Sequence, residues 1–391
     1  MGNFAFKWVP PSELDSLFTC VDLEFTPGQH FFLSSKWANC YFPAWQTQER
    51  LGAVIVEGFN SHTNDSSKSI FAVLSAGIRR SKIGVSFLSV GFNVASSAQM
   101  KYVTPEINGL FRQSRSPSPT EFVEIVAGTV ELLNAQGILW GEIRLDAVPS
   151  DCAVAVKNWA RGCDLNVLEV GLKKTYVINL AEIRGKGIRD FVDTRSSNSR
   201  AQLRKARRLI EASLGPLSLE LAQTQEQLDS WFHALKELHR LRWRGTENGS
   251  GFDYQPFDQF HNTVAKGLLI EKVMHLWRVS AGATNIGYLH VFSTGKRAYF
   301  NISGINYDLQ SNFKPGLLAH WMVIQYYLDE GYEIYDFMVG TSQYKQSLST
   351  EAEDLHFFSI RQSNLAFKLE GLLRSYKRAF LGKSSIDPLE E

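Results

Sequence analysis

The sequence has little of what marks a membrane protein or a secreted one. No apolar run approaches the roughly 18 to 20 residues that a helix needs to cross a bilayer. The first residues, Met1 to Lys7, lack the apolar stretch of a signal peptide, and Phe6 departs from the myristoylation pattern. We therefore expect a cytoplasmic protein without a membrane span.

Cysteine and histidine occur at spacings that do not suggest a metal site. The four cysteines include no C-x-x-C pair, and the nine histidines include no H-x-x-x-H or H-E-x-x-H pair. We expect buried free thiols rather than disulfides, and no protein-bound metal. The cysteines are Cys20, Cys40, Cys152 and Cys163.

An excess of charge of either sign is also absent. The chain has 41 Lys and Arg against 40 Asp and Glu, a formal net charge of +1, which excludes a protein that coats a polyanion over its whole surface. With 44% hydrophobic and 21% charged residues the chain is globular. Its 391 residues are too many for one ordinary α/β core and fit two domains of about 180 residues each.

A helix-glycine-strand pattern occurs twice, about half the chain apart. A Ser/Pro cluster at 114–119 precedes an amphipathic helix that ends at Gly137, before a strand at 138–145. Lys314-Pro315-Gly316 opens a second helix that ends at Gly331, before a strand at 332–339. The repetition predicts two copies of one α/β fold. We place them at residues 1–185 and 186–375, followed by a tail at 376–391.

A basic segment joins the two halves. Residues 184–208 carry nine Lys and Arg against Asp190 and Asp193, and a helix is expected from Ser199 to Gly215. The segment is either a solvated helix face or a site for phosphates or an anionic substrate. It lacks interleaved aromatic residues, which disfavours nucleic acid as a partner.

The next helix begins with a capping-box pattern at Thr224 to Gln227. Its apolar stripe, continued at helical spacing, reaches His239 and Arg242, so we expect both side chains to face the interior or a cleft. A buried Arg242 would need a carboxylate such as Asp336, or a phosphate of a substrate.

Several runs in the second half together resemble one known family. They resemble the CelD-type acetyltransferases associated with cellulose and exopolysaccharide biosynthesis, which belong to the GNAT superfamily and are akin to Fem-type peptidoglycan aminoacyltransferases. The resemblance covers roughly residues 199–346. It implies an α/β (α+β) fold of tandem GNAT-like domains, each a mixed twisted sheet flanked by helices. The runs are Leu203–Leu209, Leu238–Trp243, Gly304–Asp308, Lys314–Leu318, Tyr335–Gly340 and Tyr344-Lys345.

The resemblance implies acetyl-CoA or another acyl-CoA as the donor. A helix N-terminus binds a diphosphate through free backbone N–H groups and a favourable dipole, and Lys314 can add a charge-assisted contact. The superfamily pattern has two spaced glycines in this loop, whereas this chain has only Gly316, which keeps an aminoacyl-tRNA or another thioester open as the donor. The residues expected to bind the donor are Ser303, Lys314, Pro315, Gly316, Leu317 and Leu318.

For catalysis, the superfamily implies an oxyanion site at a backbone N–H in the stretch 301–303, beside a bulged strand. Asp336 is either a base or the structural partner of Arg242 or Lys345. Tyr344 either protonates the departing thiolate or packs as an aromatic, and Lys345 either contacts substrate or lies on the surface. The residues expected to bind the acceptor are His239, Arg242 and Trp243.

The resulting expectation is an acyltransferase that moves an acyl group from acyl-CoA to an amine or hydroxyl of a nucleotide sugar or polysaccharide precursor. The partner would be a small-molecule or saccharide acceptor, bound with help from the first domain. Two alternatives stay open: Fem-like transfer from aminoacyl-tRNA, and a catalytically silent GNAT-fold binding protein.

Overall fold

The computed structural model describes residues 4–18, 30–45, 49–58, 70–81, 84–95, 106–112, 115–246, 249–270, 273–340, 342–363 and 367. The chain forms two compact units, Met1–Lys173 with Glu353–Glu391, and Lys174–Ala352. The domain end expected at 375 differs from these bounds because residues 355–361 pair with a strand of the first unit. The end expected at 185 lies beyond Lys173, within the second unit. The expected tail at 376–391 lies outside the described residues.

The first unit contains one mixed sheet with the strand order β1-β2-β3-β4-β5-β12. Neighbours are antiparallel except for β4 and β5, which are parallel. A helix, α3, connects these two parallel strands, as a crossover requires. The strands are β1 Ala5–Val9, β2 Arg50–Glu57, β3 Phe71–Arg80, β4 Ser86–Phe92, β5 Glu142–Pro149 and β12 Glu351–Arg361; the helices are α1 Leu14–Phe18, α2 Ser35–Tyr41, α3 Pro119–Ala135 and α4 Ser150–Gly162.

The second unit contains a sheet with the order β6-β11-β10-β9-β8-β7. Here too neighbours are antiparallel except for one parallel pair, β10 with β11, and α9 connects that pair. The strands are β6 Asn166–Asn179, β7 Leu217–Leu221, β8 Met274–Ala281, β9 Thr284–Thr294, β10 Arg297–Ile305 and β11 Ile334–Val339; the helices are α5 Leu180–Gly185, α6 Ser197–Leu214, α7 Gln225–Trp243, α8 Gln255–Ile270, α9 Pro315–Asp329 and α10 Gln343–Leu348.

Both units therefore repeat one pattern: four antiparallel strands, a helical crossover, a parallel strand and an antiparallel sixth strand. This confirms the predicted α/β class of mixed sheets flanked by helices. Each unit has its own apolar core, and the cores lie between the sheet and helices such as α3 in the first unit and α9 in the second. Among the described residues no helix is both long and apolar enough to cross a membrane.

The strand expected at 138–145 begins four residues later, at Glu142. The N–H of Ile138 instead donates to the carbonyl of Leu133, which closes the end of α3, and a second turn bond joins Trp140 to Ile138. These bonds use the backbone groups that a strand would need.

Strand β10 has two irregularities. A register shift between Phe300 and Ile302 leaves Asn301 as an extra residue opposite β9, which is a β-bulge. The parallel register between β10 and β11 is recorded only from Arg297 to Tyr299, although β10 continues to Ile305. The second half of β10 therefore runs beyond its pairing with β11, on the side where α9 begins.

Candidate functional site

A cavity of about 320 Å³ lies at the N-terminus of α9, within the second unit. One wall is the end of β10, another is the loop and first turns of α9, and the third is the ring of Tyr344 from α10. The lining residues are Ser303, Ile305, Tyr307, Leu309, Ser311, Lys314, Pro315, Gly316, Leu317, His320 and Tyr344.

The first turn of α9 has unused backbone donors. Lys314, the N-cap residue, has a left-handed backbone with φ 48° and ψ 51°, and no side chain caps the helix. Pro315 has no N–H to satisfy, and the first recorded bond of the helix runs from the N–H of Leu318 to the carbonyl of Lys314. Among the described residues, no partner is recorded for the N–H groups of Gly316 and Leu317. They are free to bind an anion.

The corresponding helix of the first unit, α3, has a capping box at its N-terminus. The Ser118 hydroxyl accepts from the N–H of Glu121, and the Glu121 carboxylate accepts in turn from the N–H of Ser118. Arg115 binds both oxygens of the same carboxylate, at 2.8 and 2.6 Å, and lowers the pKa of Glu121 to about 2. At α3 the N–H of Glu121, which corresponds to that of Leu317 in α9, is therefore already bonded to a side-chain hydroxyl, and a carboxylate lies beside it.

Most of the residues expected to bind the donor meet at this cavity. Ser303, Lys314, Pro315, Gly316 and Leu317 all line it. The Lys314 side chain is exposed at the mouth. Leu318 does not line the cavity, because its side chain is fully buried in the core behind α9.

Tyr344 reaches the cavity through an aromatic stack. Its ring lies on that of His320, with centroids 4.8 Å apart and planes 23° apart. Burial raises the pKa of the Tyr344 phenol, and the neighbouring Tyr307 phenol raises it further. Tyr344 is therefore protonated at neutral pH and has a proton to donate.

His320 was not anticipated from the sequence. It lies on α9, is 3% exposed, and packs edge-on against Phe300 and Phe337. Burial lowers the pKa of His320 to about 3, and the nearby Lys345 ammonium contributes in the same direction. The available signal was a histidine three residues after Leu317, within an otherwise apolar helix face.

Asp336 does not line the cavity. It is 2% exposed, and one carboxylate oxygen accepts from Arg297 at 2.6 Å while the other accepts from the N–H of Met338 at 2.8 Å. The carboxylate therefore pairs with Arg297, which lies two register positions away on the same face of the neighbouring strand.

Lys345 is buried, so the alternative that it lies on the surface is wrong. Its ammonium donates to the carbonyl of Val339 at 2.8 Å, at the end of β11. A Cβ added at Gly340 would lie 2.7 Å from that nitrogen, which explains why a glycine stands beside it. Lys345 thus ties α10 to the end of β11, and it does not line the cavity.

The end of α7 differs from the expectation. The helix buries side chains as far as Leu235, and its last residues lie beyond the core. His239 is half-buried, bonds Ser250 at 2.8 Å through Nδ1, and has its pKa lowered to about 4 by burial. Arg242, expected to face the interior or a cleft, is exposed and lies 5.1 Å over the ring of Tyr307. Trp243 is 39% exposed. Arg242 therefore reaches the rim of the cavity, because Tyr307 lines it.

Many cations of the basic segment have structural partners. Arg184 donates to backbone carbonyls at the end of α9, and Arg195 donates to carbonyls at the end of α10. Arg204 pairs with Asp193 at 2.6 Å. Within the described chain, three exposed cations of the segment have no recorded partner: Arg189, Lys205 and Arg208.

Metal binding finds no support in the site. The described residues contain no group of three or more His, Cys, Asp or Glu side chains placed to hold an ion. The cavity offers hydroxyls, an imidazole, backbone N–H groups and one lysine, a set that suits an organic anion better than a cation.

Residues 197–346, which contain the whole cavity, match the profile of the acetyltransferase (GNAT) domain family. This part of the chain thus has the sequence pattern of a GNAT domain, and the match supports an enzyme that transfers acyl groups. No curated protein is significantly similar to the chain in sequence. The Fem-like and CelD-type subfamilies are not distinguished by the match.

Several solved structures are similar to the chain at low sequence identity. A conserved protein of unknown function from Bacteroides thetaiotaomicron has a TM-score of 0.51 and 9% identity, over 92% of this chain and 100% of its own. The C-terminal domain of a putative lysylphosphatidylglycerol synthetase from Agrobacterium fabrum has a TM-score of 0.46 and 11% identity, over 88% and 91%. A tandem GNAT protein from the clavulanic acid biosynthesis pathway has 0.45 and 9%, over 92% and 99%. With the repeated strand pattern, the family match confirms the predicted tandem GNAT-like fold.

Proposed function

We propose that the chain transfers an acyl group from a CoA thioester to an amine or hydroxyl of a small acceptor. The observation that carries this proposal is the open N-terminus of α9, where the N–H groups of Gly316 and Leu317 face a cavity. The N-terminus of α3 supports the assignment by contrast, since a capping box of Ser118 and Glu121 already uses N–H groups there. The second unit would then perform the chemistry, and the first would serve architecture and acceptor binding.

The donor's diphosphate would bind the two free N–H groups, with Lys314 at the mouth as its counter-charge. A helix N-terminus favours an anion through its dipole as well as through its N–H groups. Lys314 is exposed and lines the cavity, so its ammonium can stay hydrated until a phosphate binds beside it. The acyl end would then lie deeper, beside Ser303 and Tyr344.

The transfer step needs a nucleophile, a group that stabilises the oxyanion and an acid that protonates the leaving thiolate. The acceptor's lone pair attacks the thioester carbon, a C–N or C–O bond forms, and the C–S bond breaks. A backbone N–H at the bulge around Asn301 would stabilise the oxyanion, because this half of β10 has no recorded ladder to β11. Tyr344 would donate its proton to the leaving thiolate and recover one from the attacking acceptor. The products are the acylated acceptor and free CoA.

The acceptor would enter past the rim formed by Arg242 and Tyr307. An exposed guanidinium over an aromatic ring can bind a phosphate or carboxylate, and an exposed tryptophan such as Trp243 can stack on a sugar. These groups suit a nucleotide sugar or a polysaccharide precursor, the acceptor class to which the CelD-type resemblance points.

Aminoacyl-tRNA is the second candidate donor. Lys205 and Arg208 on α6 are exposed without recorded partners in the described chain, and α6 packs against α9 and the turn at 311–313 that borders the cavity. These cations could hold phosphates of an RNA end. Binding of that kind weakens steeply with added salt, because counterions are released.

The test is a calorimetric titration of the intact chain with acetyl-CoA, longer acyl-CoAs and a charged tRNA. We expect a thioester to bind and, at about 100 times its dissociation constant, to stabilise the fold by about 2.7 kcal/mol. Release of free CoA thiol in the presence of amines or nucleotide sugars would then identify the acceptor. Salt-sensitive binding of tRNA with no binding of any thioester would replace the proposed donor with the second candidate. Binding of neither would leave a silent GNAT-fold protein.

A further inference from the structure

The inner wall of the cavity contains a histidine that the transfer step above does not use. His320 lines the cavity and is 3% exposed. Its Nδ1 is enclosed without a hydrogen-bond partner, and no partner is recorded for its Nε2 either among the described residues. Its nearest neighbours are the rings of Phe300, Phe337 and Tyr344, which contact it by their faces and edges.

An unsatisfied imidazole is costly in such surroundings. Buried polar groups are normally hydrogen-bonded, and each exception calls for an explanation. A leucine would fill the same space among these rings without leaving a polar atom unpaired. A bond from a ligand to Nε2, the ring nitrogen that is not enclosed, would offset part of that cost.

The state of the ring limits what that partner can be. Burial, with the Lys345 ammonium nearby, keeps the pKa of His320 far below neutrality, so the ring is uncharged and has one N–H donor and one nitrogen acceptor. A neutral donor-acceptor pair suits an amide, which has both a carbonyl and an N–H. It suits a phosphate poorly, because a phosphate is better served by a cation or by the helix N-terminus.

The position along α9 fits a CoA arm. His320 is four residues beyond Gly316, which is about 6 Å further along the helix axis. The pantetheine arm of CoA carries its first amide only a few single bonds from the diphosphate. A donor whose diphosphate binds at Gly316 and Leu317 would therefore bring an amide close to the imidazole.

We propose that His320 is a positioning and specificity residue for the donor, and that its neutral ring hydrogen-bonds an amide of the pantetheine arm. This rests on the proposed function and narrows it, since an aminoacyl-tRNA has no such amide. The bond would also fix the His320 ring, and the Tyr344 ring stacked on it would then be held in place beside the thioester.

The test compares ligands with and without the arm in three variants. His320→Leu removes both nitrogens, whereas His320→Asn keeps an amide near Nδ1 and His320→Gln keeps one near Nε2. Each is titrated with CoA and with 3′-phospho-ADP, which is CoA without its pantetheine arm. The control is His275→Leu, since His275 already bonds the Tyr327 hydroxyl at 2.8 Å and does not line the cavity.

For His320→Leu we expect CoA to bind about threefold to tenfold more weakly, the loss of one neutral hydrogen bond, with 3′-phospho-ADP unchanged. Either the Asn or the Gln variant should recover most of the affinity for CoA. Equal binding of CoA by His320→Leu and wild type, or equal loss of both ligands, overturns the role of His320 alone. If His320→Leu does not fold, equal CoA affinities of the Asn and Gln variants overturn it. Failure of the wild type to bind CoA overturns the proposed function and this role together.

Discussion

Placing an acid in the first turn of α9 should stabilise the fold and weaken donor binding about a hundredfold. In Gly316→Asp the new carboxylate lies at a helix N-terminus, which it favours by about 0.3–1 kcal/mol. Replacing a helical glycine adds a few tenths of a kcal/mol in the same direction. A Cβ at this position would lie 3.2 Å from the Tyr307 hydroxyl, and Tyr307 is 54% exposed, so its ring can move away.

The same carboxylate would occupy the place proposed for the diphosphate. Two unit charges about 5 Å apart repel by roughly 3 kcal/mol at an effective dielectric constant near 20. That corresponds to about a hundredfold weaker binding of the donor. The prediction is therefore a change of opposite sign in two quantities: the free energy of unfolding is equal or higher, and the affinity for acyl-CoA is much lower.

Calorimetric titration with acetyl-CoA and urea unfolding measure the two quantities separately. The matched control is Asn198→Asp, which adds the same charge to an exposed position in the first turn of α6. It should leave acetyl-CoA affinity unchanged. A folded Gly316→Asp protein that binds acetyl-CoA within about threefold of wild type would refute the reasoning, because a diphosphate at these N–H groups cannot tolerate that charge.

Two further predictions concern other side chains of the second unit. Tyr344→Phe keeps the stack on His320 but removes the phenol, so kcat in a CoA-release assay should fall by about 10²-fold or more while the affinity for CoA stays the same; an unchanged kcat would exclude Tyr344 as the acid. Burial lowers the pKa values of His290 and His320 to about 3, so between that value and the unfolded value near 6.5 the unfolded chain binds more protons, and stability falls as pH falls. Each should cost roughly 2 kcal/mol between pH 7 and pH 5; equal stability at both pH values in urea unfolding would contradict their neutral burial.

The local features of the cavity could be predicted from short stretches of sequence. Lys314-Pro315-Gly316 predicts a helix start at which few backbone N–H groups are hydrogen-bonded, since proline has no N–H. The glycine leaves room for a ligand beside that helix start. The bulged stretch at 301–303 was implied by the family resemblance, and the structure has a bulge at Asn301. These features depend on residues that are neighbours in the chain.

Partners distant in sequence were predicted less well. Arg242 follows the helical period of the buried stripe of α7, but a period does not say where the sheet beneath the helix ends. Asp336 pairs with Arg297, a partner not expected from the sequence, because the parallel register of β10 and β11 brings the two side chains together.

The sequence by itself determined the composition class, the helix starts and ends, and the repetition of one α/β pattern, because these follow from spacing, caps, glycine and proline within a few residues. Only the tertiary structure decided that β12 completes the first sheet, that Arg242 lies over Tyr307, and that His320 is enclosed without a partner beside an open helix end. The reason is that burial and pairing depend on which elements pack together, and one sequence pattern is compatible with several packings.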